Sequence, residues 1–141
     1  MTVHKSKGLE FPVVFAAGMG KQFNFQDINA RLLIHPELGF GADAILPEKR
    51  LIAPTLHKQI IRRELKRESL GEELRVLYVA LTRAKEKLYI TGTIAKLEET
   101  LARISYGRNE KELLLPGGIR SGARDFWDVI LPALAGHSAM R

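Results

Sequence analysis

Apolar residues follow two patterns along the chain, short continuous runs and stripes at helical spacing. Phe11–Ala17 is rich in β-branched and aromatic residues and predicts a buried strand, with Pro12 near its start. Leu88–Thr91 predicts a second buried strand. Because helical spacing precedes this second strand, the chain contains strand, crossover helix and strand, which is the unit of a parallel sheet. The sequence therefore predicts an α/β fold.

The segment between these strands contains further elements. Leu32–Ile34 and Phe40–Leu46 predict two short strands joined by a turn. A basic amphipathic helix is predicted from Thr55 onwards. Its polar face carries Lys58, Arg62, Arg63, Lys66 and Arg67.

Ser69–Glu72 has the spacing of a capping box, so we expect a helix to begin, or to bend, near Gly71. That helix should run to about Ala84, with Tyr78 in the core. Thr93 is expected to cap a later helix. Residues 106–122 are expected to form a loop, and a final helix should be kinked or restarted at Pro132.

Composition narrows the class of protein. The 141 residues include 22 Lys and Arg, 16 Asp and Glu and no cysteine, which gives a net charge of +6. The absence of cysteine excludes disulfides, thiolate metal sites and a cysteine nucleophile, and it suits a reducing cytoplasm. No apolar run approaches the roughly 18 residues that a membrane span needs, so no membrane partner is expected. The positive charge favours an anionic partner such as nucleic acid, although solvated lysines also explain it.

The chain contains no phosphate-binding loop of the form Gly-x-x-x-x-Gly-Lys-Ser/Thr. The nearest match is Gly18–Lys21, but Gln22 lacks the hydroxyl that would bind magnesium, and a turn after a strand explains the glycines. The four histidines are too scattered to indicate a metal site. The sequence therefore excludes an ATPase that works alone.

Two ungapped stretches resemble motifs V and VI of UvrD-like superfamily 1 DNA helicases. They are Thr2–Val14 and Glu72–Ala84, and they occur in the same order as in that family. Further segments, among them Gly20–Asn24 and Leu32–His35, are similar to one branch, the AddA subunits of bacterial AddAB helicase/nucleases. This likeness continues from Ala123 to His137.

The resemblance implies a piece of a longer protein. Residues 1–92 would form part of its second RecA-like motor domain, a parallel-sheet domain of the P-loop NTPase type, and residues 93–141 a helical extension. The family couples hydrolysis of ATP, with Mg2+, to 3' to 5' movement on single-stranded DNA. AddA also processes double-strand breaks with an AddB-type nuclease partner. The first RecA-like motor domain, which binds most of the ATP and Mg2+, would lie outside this chain, so the isolated chain is expected to be inactive.

The resemblance also implies roles for five residues. Arg83, in Thr-Arg-Ala, would be an arginine finger that reaches the γ-phosphate bound by the other motor domain. Glu10 would accept hydrogen bonds from the nucleotide, and Gly8, counted with the nucleotide site, would permit a tight or positive-φ turn between the DNA-facing and the nucleotide-facing residues. Thr2 and His4 would contact the backbone of single-stranded DNA.

Simpler explanations stand beside these roles. Arg83 also suits a structural residue that interacts with the dipole of a helix C-terminus, and Glu10 a solvated loop carboxylate. The basic helix suits either DNA tracking or a solvated face. For the whole chain, the alternatives to a motor fragment are a basic nucleic-acid-binding module without catalysis and a protein-interaction domain with a degenerate motor fold.

Overall fold

The computed structural model describes residues 8–106 and 117–135. The strands are β1 (Phe11–Ala16), β2 (Leu32–His35), β3 (Gly39–Leu46), β4 (Leu51–Pro54) and β5 (Ala84–Ile90). The helices are α1 (Leu56–Leu81), α2 (Leu97–Tyr106), α3 (Gly117–Gly122) and α4 (Trp127–Leu134). These elements confirm the α/β class.

The chain divides into two compact units. The parallel-sheet unit contains the described residues of 1–23 and 74–141, and the antiparallel-sheet unit contains residues 24–73. Helix α1 contributes residues to both units. The predicted division into residues 1–92 and 93–141 concerns the longer protein and stays a prediction.

In the parallel-sheet unit, β1 and β5 pair in parallel, as the strand–helix–strand pattern predicts. The predicted burial of both strands is wrong, because Phe15 is 68% exposed and Tyr89 is 44% exposed, and the two rings stack at 4.7 Å. The core lies on the other side of the sheet, where Ala16 packs with Leu77 of α1 and Ile130 of α4. A parallel strand buries both faces only when elements cover both, and here one face is covered.

Helix α1 is continuous from Leu56 to Leu81, so no second helix begins near Gly71, and the alternative of a bend there stays a prediction. A Cβ at Gly71 would meet nothing within 4 Å, and the helix propagates through this exposed position. Tyr78 is 69% exposed and does not belong to the core. It lies about 100° around the helix from the buried Leu77, and this rotation takes its ring off the covered face. The helix also ends before Ala84, which is already the first residue of β5.

The later elements differ in detail from the prediction. Helix α2 begins at Leu97, four residues after the expected cap at Thr93. The region expected to be a loop contains α3, while residues 107–116 lie outside the described part of the chain. Helix α4 contains Pro132 and continues to Leu134 without restarting.

The antiparallel-sheet unit contains the predicted hairpin and one strand that the sequence pattern did not predict. β2 and β3 pair antiparallel, with Leu33 opposite Gly41, and β4 adds to β3. Leu33, His35 and Ile61 are almost completely buried. Nδ1 of His35 accepts hydrogen bonds at 3.1 Å from two backbone N–H groups of the next turn. Because Nδ1 accepts, the ring proton is on Nε2, which donates to the carboxylate of Glu68 on α1 at 3.4 Å. This histidine therefore joins the hairpin turn to the helix.

Candidate functional site

The two motif segments meet at the amino-terminal edge of the parallel sheet. The loop that contains Glu10 leads into β1, and Arg83 immediately precedes β5. Parallel strands begin at the same edge of a sheet, and Phe11 pairs with Ala84 in the register. The backbone N–H of Phe11 donates to the carbonyl of Arg83 at 2.9 Å. The fold thus places the two loops side by side.

The guanidinium of Arg83 connects the end of α1 to the loop before β1. Nε donates to the carbonyl of Val79 at 3.0 Å, and Nη1 donates to the carbonyl of Leu9 at 3.0 Å. Nη2 donates at 3.2 Å to the hydroxyl of Thr82, which in turn donates to the carbonyl of Tyr78 at 2.9 Å. These bonds fix the plane of the guanidinium group.

Both explanations of Arg83 have a geometric basis. The bond to Val79 satisfies a carbonyl of the last helical turn, as a helix-terminal cation does. The guanidinium has five N–H donors, of which the bonds to Val79, Leu9 and Thr82 use three. These three bonds therefore leave two N–H donors of the guanidinium for an anionic ligand such as a phosphate oxygen.

Glu10 lies at the same edge with an exposed side chain. Its carboxylate pairs with Nζ of Lys85 at 3.1 Å, and the two side chains are 57% and 60% exposed. An exposed ion pair of this kind contributes little to stability, so a ligand could displace Lys85 at small cost. Gly8 has a φ of +84°, which agrees with the predicted turn of positive φ.

Thr2 and His4 lie outside the described residues. Their assignment to the DNA backbone stays a prediction, as do the roles of Arg83 and Glu10 toward a nucleotide. The structure brings Glu10, Gly8 and Arg83 to one edge of the sheet.

The glycines after β1 have a packing role, which supports the interpretation of Gly18–Lys21 as a turn. A Cβ at Gly20 would lie 2.1 Å from the carbonyl oxygen of Thr93, so only glycine fits there. Gly18 has a φ of +81°. The glycine pattern is therefore explained without a phosphate ligand.

Sequence analysis did not predict a cavity of about 450 Å3 beyond the carboxyl ends of β1 and β5. Its lining includes Gly20, Thr93, Lys96, Arg124, Asp125 and Trp127. The indole Nε1 of Trp127 is buried there without a hydrogen-bond partner among the described residues. The sequence shows the glycines, but it does not predict that they lie close to Trp127, because this proximity depends on the packing of α4.

The basic face of α1 is engaged in contacts inside the antiparallel-sheet unit. Lys58 pairs with Asp43, Arg62 donates to Asn29, Lys66 lies over the ring of Phe25, and Arg67 pairs with Glu64. The hydrogen bond to Glu64, and then the charge of that carboxylate, raise the pKa of Arg67. Of these cations Lys58 is held in a buried pair, whereas the contacts of Arg62 and Arg67 are exposed and could be displaced at small cost, so DNA tracking and a solvated face both stay open.

Within residues 8–106 and 117–135, no group of three or more His, Asp or Glu side chains is arranged to hold a metal ion. No helix in the same residues has the length and the apolar character needed to cross a membrane.

Comparison with known proteins identifies the class. Residues 1–94 match the UvrD-like helicase C-terminal domain, and the chain belongs to this family. The chain is 50% identical over 137 residues to the A-type subunit of the ATP-dependent helicase/nuclease from Bacillus mycoides (strain KBAB4). It is equally similar to the proteins of the same name from Bacillus cereus strains B4264 and G9842. Each match covers 97% of this chain and 11% of the relative. The resemblance to UvrD-like helicases and to AddA is confirmed.

Proposed function

We propose that this chain is part of the helicase/nuclease subunit of an ATP-dependent DNA-processing enzyme and that it supplies the arginine finger to the nucleotide site. The observation that carries the proposal is the junction of Arg83 with the loop of Glu10 at one sheet edge. Membership of the UvrD-like family supports it. The parallel sheet would belong to the second RecA-like motor domain, and Thr2 and His4 would form part of the single-stranded DNA track.

The chemistry assigned to these residues is positioning and charge stabilisation. Negative charge develops on the phosphoryl oxygens during transfer, and a fixed guanidinium stabilises it. Bonds to Val79, Leu9 and Thr82 hold Arg83 in place before the reaction, which lowers the cost of reorganisation. Glu10 would leave Lys85 and accept hydrogen bonds from the ribose. ATP and Mg2+ would be bound mainly by the first motor domain of the longer polypeptide.

In the cell, we infer that the longer polypeptide moves 3' to 5' on single-stranded DNA and processes double-strand breaks in the cytoplasm with an AddB-type nuclease subunit. The names of the relatives, which describe an ATP-dependent helicase/nuclease subunit, support the helicase and nuclease part of this inference. The alternative is a basic binding module without catalysis, for which the net charge of +6 is the favouring observation. The two differ in whether Arg83 affects ATP turnover in the longer protein.

The isolated 141-residue chain should not hydrolyse ATP, because it contains no phosphate-binding loop. A coupled phosphate-release assay, with and without oligonucleotide, measures this. The longer polypeptide, assayed in parallel, should show DNA-stimulated turnover. Turnover by the purified isolated chain would contradict the proposal.

Binding of the isolated chain to single-stranded DNA should be weak, independent of sequence and sensitive to salt, because a few phosphate contacts supply the affinity. Raising NaCl from about 50 mM to about 200 mM should reduce affinity by roughly tenfold. Fluorescence anisotropy with two labelled oligonucleotides of different sequence measures both properties. Tight binding to one sequence, or affinity unchanged by salt, would count against this assignment.

His4→Ala in the longer polypeptide should weaken DNA binding by about 1 kcal/mol, the net value of one solvent-accessible hydrogen bond. The concentration of DNA that half-saturates the ATPase should rise by about fivefold, while turnover at saturating DNA stays near normal. His57→Ala is the matched control, because His57 bonds to the carbonyl of Leu38 within the antiparallel-sheet unit. Equal effects of the two substitutions would remove His4 from the DNA track.

A further inference from the structure

In the antiparallel-sheet unit, one face of the three-stranded sheet carries only apolar side chains along the described strands. β2 places Leu33 and His35 in the buried layer and leaves Leu32 and Ile34 exposed. Side chains alternate between the two faces along each strand, and the strand register shows which residues share a face with Leu32 and Ile34. We call this face, which is opposite the buried layer, the outer face. It consists of Leu32, Ile34, Phe40, Ala42, Ala44, Leu46, Leu51 and Ala53.

The large side chains of the outer face are accessible to solvent. Ile34 is 71% exposed and Phe40 is 69% exposed, and these two residues are directly paired across the strands. Leu32 is 52% exposed, and the paired Leu46 and Leu51 are 47% and 49% exposed. Apolar side chains therefore extend across all three strands.

Helix α1 covers the part of the inner face around Gly41 and Asp43, whereas Ile45 and Ile52 at the far end of that face are exposed. Asp43, which is on this face of β3, pairs with Lys58 of α1 at 2.6 Å. Gly41 packs so closely that a Cβ there would lie 2.6 Å from the Cα of Lys58. An antiparallel sheet that is covered on one side normally has polar residues on the other, and the outer face departs from that pattern.

We propose that the outer face is a docking surface for an apolar segment of the same longer polypeptide, such as one face of an amphipathic helix. The inference rests on the proposed function, that the chain works as part of a longer helicase subunit. Surfaces that associate reversibly are about as polar as the rest of a protein surface, whereas a face with eight apolar positions resembles a permanent core. The chain spans 11% of the length of its relatives, which supplies ample polypeptide to cover this face.

Site-specific photocrosslinking in the longer polypeptide tests the proposal. A benzophenone-bearing phenylalanine analogue replaces Phe40 in one variant and Ile34 in a second. Ile45 is the matched control position, because it is 66% exposed but follows Asp43 by two residues and so lies on the inner side of β3. Peptide mapping by mass spectrometry identifies the crosslinked segment.

Crosslinks from Phe40 and Ile34 should reach one common segment of the same polypeptide outside these 141 residues, with yields several-fold above that from Ile45. Crosslinks to a partner protein, to a second copy or to no common segment would overturn the docking proposal, as would equal yields from all three positions. ATPase and unwinding assays on the same preparations test the proposed function separately. An active helicase without the crosslink rejects only the docking surface, whereas a crosslinked polypeptide without helicase activity rejects only the function.

Discussion

Arg83→Ala should lower ATP turnover of the longer polypeptide by about 10³-fold, the usual effect of removing an arginine finger. The guanidinium is placed to stabilise charge that develops only in the transition state, so kcat should fall while the KM for ATP changes little. Binding to single-stranded DNA should stay within about twofold of normal, because the residue is not assigned to the DNA track. Steady-state ATPase titrated with oligonucleotide, together with anisotropy, measures all three quantities.

Arg83→Lys separates the finger from a helix-terminal cation. Lysine keeps the positive charge near the end of α1 but has no planar fork to bond Val79, Leu9 and a phosphate together. We therefore expect Arg83→Lys to lose most of the turnover and, because the charge near the end of α1 is kept, to be more stable to heat than Arg83→Ala. Near-normal turnover in Arg83→Ala, accompanied by a lower melting temperature, would return Arg83 to a purely structural role.

Lys58→Met should destabilise the antiparallel-sheet unit by about 3 kcal/mol, because it leaves the carboxylate of Asp43 without its partner in a poorly hydrated site. The side chains of Lys58 and Asp43 are 7% and 16% exposed, and their atoms lie 2.6 Å apart. Urea unfolding followed by circular dichroism gives the free energy of unfolding. Hydrogen exchange of the amides in the first turns of α1 locates the loss.

The double variant Lys58→Met with Asp43→Leu should recover most of that stability, because replacing both members of a buried pair by apolar groups is often neutral or favourable. Lys96→Met is the matched control, since the pair between Lys96 and Glu99 is about 70% exposed on both sides. It should cost no more than about 0.5 kcal/mol. A double variant as unstable as Lys58→Met alone would show that the stability comes from the lysine stem and not from the charge pair.

Local sequence patterns were sufficient for strands that are adjacent in the chain and for one distant pairing that a crossover helix implies. The hairpin of β2 and β3 was predicted from two apolar runs around a turn, and the parallel order of β1 and β5 from the helix between them. Strand β4 was missed because it ends in Pro54, a residue type that is typical of turns and strand ends. The start of a second helix near Gly71 was predicted wrongly because a capping-box spacing inside a long helix is satisfied equally well by continued helical hydrogen bonding.

The sequence by itself determined the family, the α/β class and the identities of the candidate residues, because the motifs are contiguous stretches whose meaning does not depend on what they contact. Tertiary structure decided which of those residues meet. The bond from Arg83 to the carbonyl of Leu9 joins residues 74 positions apart, and the exposure of Phe15, Tyr78 and Tyr89 depends on which faces other elements cover. Such contacts are set by the packing of elements distant in the chain, and periodicity along one segment carries no information about them.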